Sequence, residues 1–410
     1  MSKPCHILIL MSKTGNGHQA SAQALAEGFE QHFGNQVNVT IIDFLFDHIP
    51  YPLNLLPRSY NTIISNCPWV WQLVWNLSMM DWLRNLLQQM IHTVSVHSAQ
   101  KMLTDYQPDL IVAVHAIFVQ TLTIDALRKV DYHAPFVTVV TDLIDIHPLW
   151  FHSEADLCFV GSDSAYQRGC KAGISPQQLR QYGLPIRQAF TNAIASNESK
   201  SDLRQKLGLH RDLSTVLLLG GRTNQRTVLR IAQTLSKKLS AATPSKQTHT
   251  AQLVIICGQD TQLYAMLTAR TWQIPTVIVG FVENMAEWMR ASDCLVTKAG
   301  PGVIAEAMAC GLPMILYGYV PGQEAGNVPF VVENNMGTYS EDAEEIANWV
   351  VGWFGPNTVQ LKRMATQAKC HGRPEATSHI IEDIGKLIPD LKHRRDREHA
   401  TNTHSHYRIG

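Results

Sequence analysis

The run Ile7-Leu8-Ile9-Leu10-Met11 is apolar without alternation, which predicts a strand buried on both faces. It gives way to Gly15-Asn16-Gly17-His18. Ala22, Leu25, Ala26 and Phe29 then recur at helical spacing, and Gly34 stands where a C-cap glycine belongs. A second apolar run covers residues 37–42. Strand, glycine loop, helix and strand in this order predict a parallel, Rossmann-like sheet. Further apolar runs at 110–114, 136–141 and 157–160 alternate with helix-like stretches. The pattern repeats at 215–219, 253–257, 276–279, 294–297 and 314–316. Two consecutive α/β arrays predict two lobes, residues 1–195 and 196–375, joined near 197–202. A C-terminal helix over 376–390 follows. The polar, basic stretch 391–410 is expected to be disordered, its histidines needing no metal.

Composition agrees with two cores: 410 residues exceed one ordinary domain, and 45% of them are hydrophobic. Lys plus Arg and Asp plus Glu each number 34, so net charge is zero, against a nucleic-acid binder working through an overall positive field. The eight cysteines lack CxxC pairs, so neither zinc nor a disulfide framework is expected. Cys257, Cys294 and Cys310 lie in apolar runs, as reduced cytosolic cysteines do. The first strand starts by residue 6, so no signal or transit peptide is expected. No apolar run reaches the roughly 18 residues of a spanning helix.

Residues 49–90 break the tidy alternation. Trp69, Trp71, Trp75 and Trp82 crowd together among Leu, Ile and Met. One reading is a buried helical insertion. The other is a membrane-facing surface, in which Trp71 and Trp75 enter the interface and Arg58 and Arg84 meet lipid phosphates, anionic lipids included.

Candidate chemistry gathers at strand ends. His18 is either a solvated turn residue or, beside the positive end of a helix, a neutral imidazole suited to general base catalysis. Phe281-Val282 follows a predicted strand, where a flat base can pack on Phe281. Asn284 and Glu287 form a capping pair. Lys298-Ala299-Gly300-Pro301-Gly302 joins a strand to a helix, and such loops let backbone N–H groups approach a diphosphate. Glu306 is either a ribose contact or an acid that complements the helix dipole. Gln323 and Glu324 present groups suited to sugar hydroxyls.

Taken together, GNGH at 15–18, VTDLIDIHPLWFH at 140–152, KAGPGVIAEA at 298–307 and GLPMILYGYVPGQEAGNVPFVVEN at 311–334 resemble the monogalactosyldiacylglycerol synthases. They are also similar to the related bacterial diacylglycerol glucosyltransferases. The likeness covers most of residues 1–385, and the wider superfamily includes the peptidoglycan glycosyltransferase that acts on lipid-linked muramyl peptides. It implies an α/β GT-B fold, two Rossmann-like lobes facing an interdomain cleft. It also implies a UDP-hexose co-substrate, galactose favoured, and the 3-hydroxyl of membrane diacylglycerol as acceptor. Inversion would proceed without metal or further cofactor, by a peripheral protein on the cytoplasmic face of a membrane. By motif, His18 stands in the place of the catalytic base, with Gly15, Asn16 and Gly17 beside it. Phe281-Val282 corresponds to the uracil loop, Lys298 and Gly300-Pro301-Gly302 to the diphosphate loop, and Glu306 to the ribose contact. Gln323, Glu324 and Asn327 match the hexose-binding loop. Asp142, His147, Pro148 and Trp150 match a motif on the acceptor side.

One loop departs from the family. Gly220-Gly221-Arg222-Thr223-Asn224-Gln225 keeps only two glycines, with Arg222 offering charge to the donor instead. No DxD stands at a strand end; Asp142 and Asp145 give only a DxxD spacing. Competing readings are a glucosyl enzyme, a UDP-sugar epimerase and a non-catalytic UDP-sugar sensor.

Overall fold

A computed structural model describes residues 3–388, except 14, 15, 52, 56–59, 61, 62, 65, 66, 117, 118, 221–223 and 243–249. Among the described residues the strands form two parallel six-stranded sheets. The first contains β1 (Cys5–Met11), β2 (Val37–Asp43), β3 (Leu110–Ala113), β4 (Phe136–Val139), β5 (Leu157–Val160) and β6 (Leu179–Gln181), in the order β2-β1-β3-β4-β5-β6. The second contains β7 (Ser214–Leu219), β8 (Ala251–Ile256), β9 (Thr276–Val279), β10 (Cys294–Thr297), β11 (Met314–Leu316) and β12 (Gly337–Tyr339), ordered β12-β11-β10-β7-β8-β9.

The unbroken apolar run of β1 is explained by helices on both faces of its sheet. Ile7 and Ile9 join a core with Leu25, Phe29, Ile380, Ile381 and Ile384. Leu8 and Leu10 point the other way, into a core with Phe44, Met102 and Leu103. In the second sheet Val216 and Leu218 pack with Val228, Ile231, Leu235 and Trp353. The helix Asn16–Phe33 ends where expected, at Gly34 with a φ of +53°.

Chain contacts divide the protein into two compact units. One comprises the described parts of 1–61, 76–188 and 375–410, the other those of 62–75 and 189–374. The division thus falls after Gln188, earlier than the sequence suggested, and the helix Ala376–Gly385 counts with the first unit. The reason is packing. A Cβ added to Gly28 would lie 3.0 Å from Ile381, and Thr377 Oγ1 both accepts from Ile186 N and donates to Ile186 O. Residues 197–202 are no loose linker. Ser199 caps the helix Lys200–Lys206, and Arg290 donates to the carbonyls of Ser196 and Glu198. Residues 391–410 lie outside the described residues.

Each strand order has one point where the winding reverses, between β1 and β3 in the first sheet and between β7 and β10 in the second. Crevices at the carboxyl ends of such strands are where open α/β sheets take ligands. Two places stand at such ends: residues 11–13 and 16–18 with 113–115, and the loop from Lys298.

Candidate functional site

His18 occupies the first switch point. Asp43 pins Lys13 at the end of β1, its Oδ2 accepting from Lys13 N at 3.1 Å. Gly15 and the side chain of Asn16 lie outside the described residues. The helix starting at Asn16 carries His18 in its first turn, against the ends of β3 and β4. Its Nδ1 lies 3.1 Å from Val114 O and 2.8 Å from Thr141 Oγ1. A carbonyl only accepts, so Nδ1 carries the proton and Nε2 keeps its lone pair. Burial pushes the imidazole down to about 4, only partly offset by the Val114 carbonyl. The ring is therefore neutral at pH 7, as the sequence suggested, but burial rather than the helix dipole is the cause.

The His115 ring meets His18 edge-on, with centroids 4.6 Å apart. Burial and the adjacent His18 hold His115 well below the ordinary histidine range. The sequence reading passed over His115 and Thr141. The available signal was positional: each follows an apolar run at the carboxyl end of a parallel strand, as His18 does.

The 142–152 motif is built around an indole. Trp150 is fully buried, its ring 6.2 Å from His18, and its Nε1 donates to Asp142 Oδ2 at 2.7 Å. Trp150 is therefore a core residue and offers no membrane surface. Asp142 orients that indole, and Asp145 Oδ1 lies 3.7 Å from Arg168 Nη2. His147 Nδ1 accepts from Leu149 N, so Nε2 bears the proton and donates to Ser78 Oγ at 3.0 Å. Burial, reinforced by Arg84 and Arg168, pushes His147 down to about 4.

The second switch point holds the small-residue loop. Gly300 caps the helix Pro301–Cys310 without a side-chain hydrogen bond, and Pro301 occupies the first position, where no N–H is wasted. A Cβ on Gly302 would meet nothing within 4 Å, so the first turn faces open space. Lys298 is half-buried beside it. Glu306 is buried in the second turn, where dipole complementation has faded. Three contacts tie neighbouring loops to this one. Asn327 Nδ2 donates to Ala299 O at 2.8 Å, and Ala299 N donates to Gly318 O. Glu324 Oε2 accepts from Val320 N at 2.7 Å, while Oε1 lies 3.9 Å from where a Gly300 Cβ would stand. Phe281 is 63% exposed, and Val282 half-buried, after β9. That strand is three places from β10, roughly 14 Å along the sheet. Asn284 does precede the helix Met285–Ala291, but its amide bonds Glu287 and Trp288 instead of capping backbone. Gly221 and Arg222 lie outside the described residues.

The tryptophan segment needs correction. The helix Pro68–Ser78 has two apolar faces. Trp69, Leu73 and Leu77 form an exposed stripe at four-residue spacing, Trp69 being 69% exposed. Trp71 and Trp75 lie on the opposite side, half-buried, with ring centroids 6.4 Å apart. Helical phase thus removes Trp71 and Trp75 from any surface shared with Trp69. The next helix, Asp81–Tyr106, exposes Trp82, Leu86 and Met90 in the same spacing, Trp82 by 67%. Arg84 is engaged with Asp81 rather than open to a phosphate, and Arg58 lies outside the described residues. Among the described residues, no helix is long and apolar enough to cross a membrane.

Comparison with known proteins identifies the family. Residues 18–186 match the family monogalactosyldiacylglycerol (MGDG) synthase, and 215–351 the C-terminal domain of glycosyltransferase family 28. The chloroplastic monogalactosyldiacylglycerol synthase of Spinacia oleracea is 40% identical over 389 residues, covering 94% of this chain and 73% of that one. Monogalactosyldiacylglycerol synthase 1 of Arabidopsis thaliana, also chloroplastic, is 38% identical over 392 residues, 94% and 72% of the two chains. Those names lend no support to the expected cytoplasmic location. Among solved structures, MurG of Acinetobacter baumannii superposes with a TM-score of 0.55 at 17% identity, covering 93% of this chain and all of that one. A UDP-GlcNAc 2-epimerase from Neisseria meningitidis gives 0.58 at 14%, covering 93% and 100%. At such identities these two bear on the fold alone, which is GT-B. With close to two-fifths of positions identical to named relatives along nearly its whole length, the chain belongs to the monogalactosyldiacylglycerol synthase family of glycosyltransferases.

Proposed function

We propose that the protein transfers galactose from UDP-galactose to the 3-hydroxyl of 1,2-diacylglycerol with inversion at the anomeric carbon. The observation that carries this reading is the neutral His18 imidazole, fixed with Nε2 as acceptor at the first switch point. Nε2 takes the proton of the glycerol hydroxyl as its oxygen bonds to the anomeric carbon, and the bond to UDP breaks on the opposite face. Negative charge grows on the departing diphosphate. The uncapped N–H groups around Gly300–Gly302 and the helix dipole suit that charge, with Lys298 beside them. Phe281-Val282 takes the uracil and Glu306 the ribose. Gln323 and Glu324 take the hexose. One N–H of the Asn327 amide is given to Ala299 O, so Asn327 braces the loop, and its second N–H is left for a sugar hydroxyl.

The test is to incubate the protein with diacylglycerol and either UDP-galactose or UDP-glucose and to resolve the lipids. A galactolipid is expected. Interconversion of the two UDP-hexoses with no glycolipid formed would instead mark an epimerase, and no turnover with retained UDP binding a sensor. Substituting Gln323 or Glu324 with alanine is expected to change the ratio of galactose to glucose use while affinity for free UDP stays constant. An unaltered ratio in both variants would place the sugar contacts elsewhere.

Membrane docking belongs to the exposed stripes. Replacing Trp69 and Trp82 with serine is expected to weaken liposome binding roughly tenfold or more, since burying one large apolar side chain is worth about 1.5–3 kcal/mol. Activity on a short-chain, water-soluble acceptor should be spared, and wild-type binding should survive moderate salt because apolar insertion dominates. Equal losses on both acceptors would refute this assignment.

A further inference from the structure

The inner face of the helix Pro68–Ser78 meets the loop at residues 320–324. A Cβ placed on Gly322 would stand 2.5 Å from Cγ and Cδ1 of Trp75 and 3.0 Å from Cδ2, so the indole lies directly against the Gly322 backbone. Gly322 also has a φ of +79°, a conformation that side chains rarely adopt. Two hydrogen bonds cinch the loop below it: Glu324 N donates to Val320 O, and Glu324 Oε2 accepts from Val320 N. The carboxylate that closes this loop is the one whose other oxygen faces Gly300. The indole therefore forms one wall of a tight turn that sets where Gln323 and Glu324 point.

We propose that Trp75 is a positioning residue for the donor sugar, holding the Gly322 turn so that Gln323 and Glu324 face the hexose. This rests on the assignment of that loop to the hexose. An indole suits the task because it is rigid, and only a glycine lets it approach the turn this closely. A glycine at 322 and a tryptophan at 75 are two halves of one contact, made between segments far apart in the chain.

The test compares Trp75→Leu, Trp75→Phe and Gly322→Ala with the intact protein. The readouts are KM for UDP-galactose, the inhibition constant of UDP, liposome binding and melting temperature. Trp75→Leu is expected to raise KM roughly tenfold, the scale of one aromatic packing contact, without changing UDP inhibition or liposome binding. Trp75→Phe should recover most of the loss. Gly322→Ala should raise KM too, and adding it to Trp75→Leu should cost less than the product of the single effects, because the clash has been removed. Unchanged KM in Trp75→Leu overturns the proposal, as does a rise matched by an equal rise in the UDP inhibition constant. Should Trp75→Leu melt early, Trp75→Phe and Gly322→Ala decide on the same readouts. If Gln323→Ala and Glu324→Ala raise KM while the Trp75 variants do not, this inference alone fails. If none of them raises KM, the hexose assignment fails.

Discussion

His18→Ala is expected to lower turnover by roughly 10²–10⁴ while leaving UDP affinity unchanged. The asymmetry follows from placement. His18 belongs to the first unit, and its Nδ1 is spent on Val114 O and Thr141 Oγ1, so only Nε2 is available for proton transfer. The residues assigned to UDP lie in the second unit. A base whose own pKa is near 4 is weak, but it is already in its unprotonated form at neutral pH. The check pairs single-turnover kinetics with calorimetric titration of UDP. Near-wild-type turnover would assign the proton transfer to another group, and His115, in ring contact with His18, would be the first to examine.

Acidification is expected to destabilise the protein well before its carboxylates are fully protonated. His18 and His147 are held near 4 in the fold, against 6.5 for an ordinary histidine. The unfolded chain therefore binds protons between these values that the native state refuses, and stability falls as pH falls through that window. By about pH 5 the loss amounts to about 2 kcal/mol for each of the two. His115, also held well below the ordinary histidine range by burial and the adjacent His18, adds to the same limb. Several kcal/mol is a large part of the total stability of a typical domain. Urea unfolding at about pH 7.5 and about pH 5, read for the intact protein and for a His18→Gln, His147→Gln double variant, measures the effect. The variant should lose markedly less stability over the interval. Equal losses would mean that these histidines are not neutral in the fold.

Much of the sheet architecture was legible because parallel strands covered on both faces read as unbroken apolar runs. β5, β9, β10 and β11 coincide with such runs. The edge strands β6 and β12 were missed. Each has three residues, Leu179–Gln181 is largely polar and Gly337–Tyr339 opens on glycine, so neither carries a hydrophobic signature. The strand–loop–helix turn at Gly300–Gly302 was legible because glycine and proline have local consequences. The tryptophans were not. Whether an indole faces water or backbone depends on the phase of its helix against distant segments, and Trp75 meets Gly322 across a separation no local pattern encodes. His115 and Thr141 were hidden for the same reason, since their meeting with His18 depends on strand order.

The helix Ala376–Gly385 fills out the core begun by β1, with Ile380, Ile381 and Ile384 in one cluster with Ile7, Leu25 and Phe29. During synthesis the first unit therefore leaves the ribosome without a covering for part of its sheet. At usual elongation rates the gap between Phe33 and that helix lasts on the order of 20–70 s. Throughout that time Gly28 and Phe33 present the surface that Ile381 and Gly385 later occupy. The part of the chain made first is thus the part completed last. Closing a contact over so long a stretch of sequence is slow for a free chain, so the nascent protein is exposed to aggregation and to chaperones at this seam more than anywhere in its second unit.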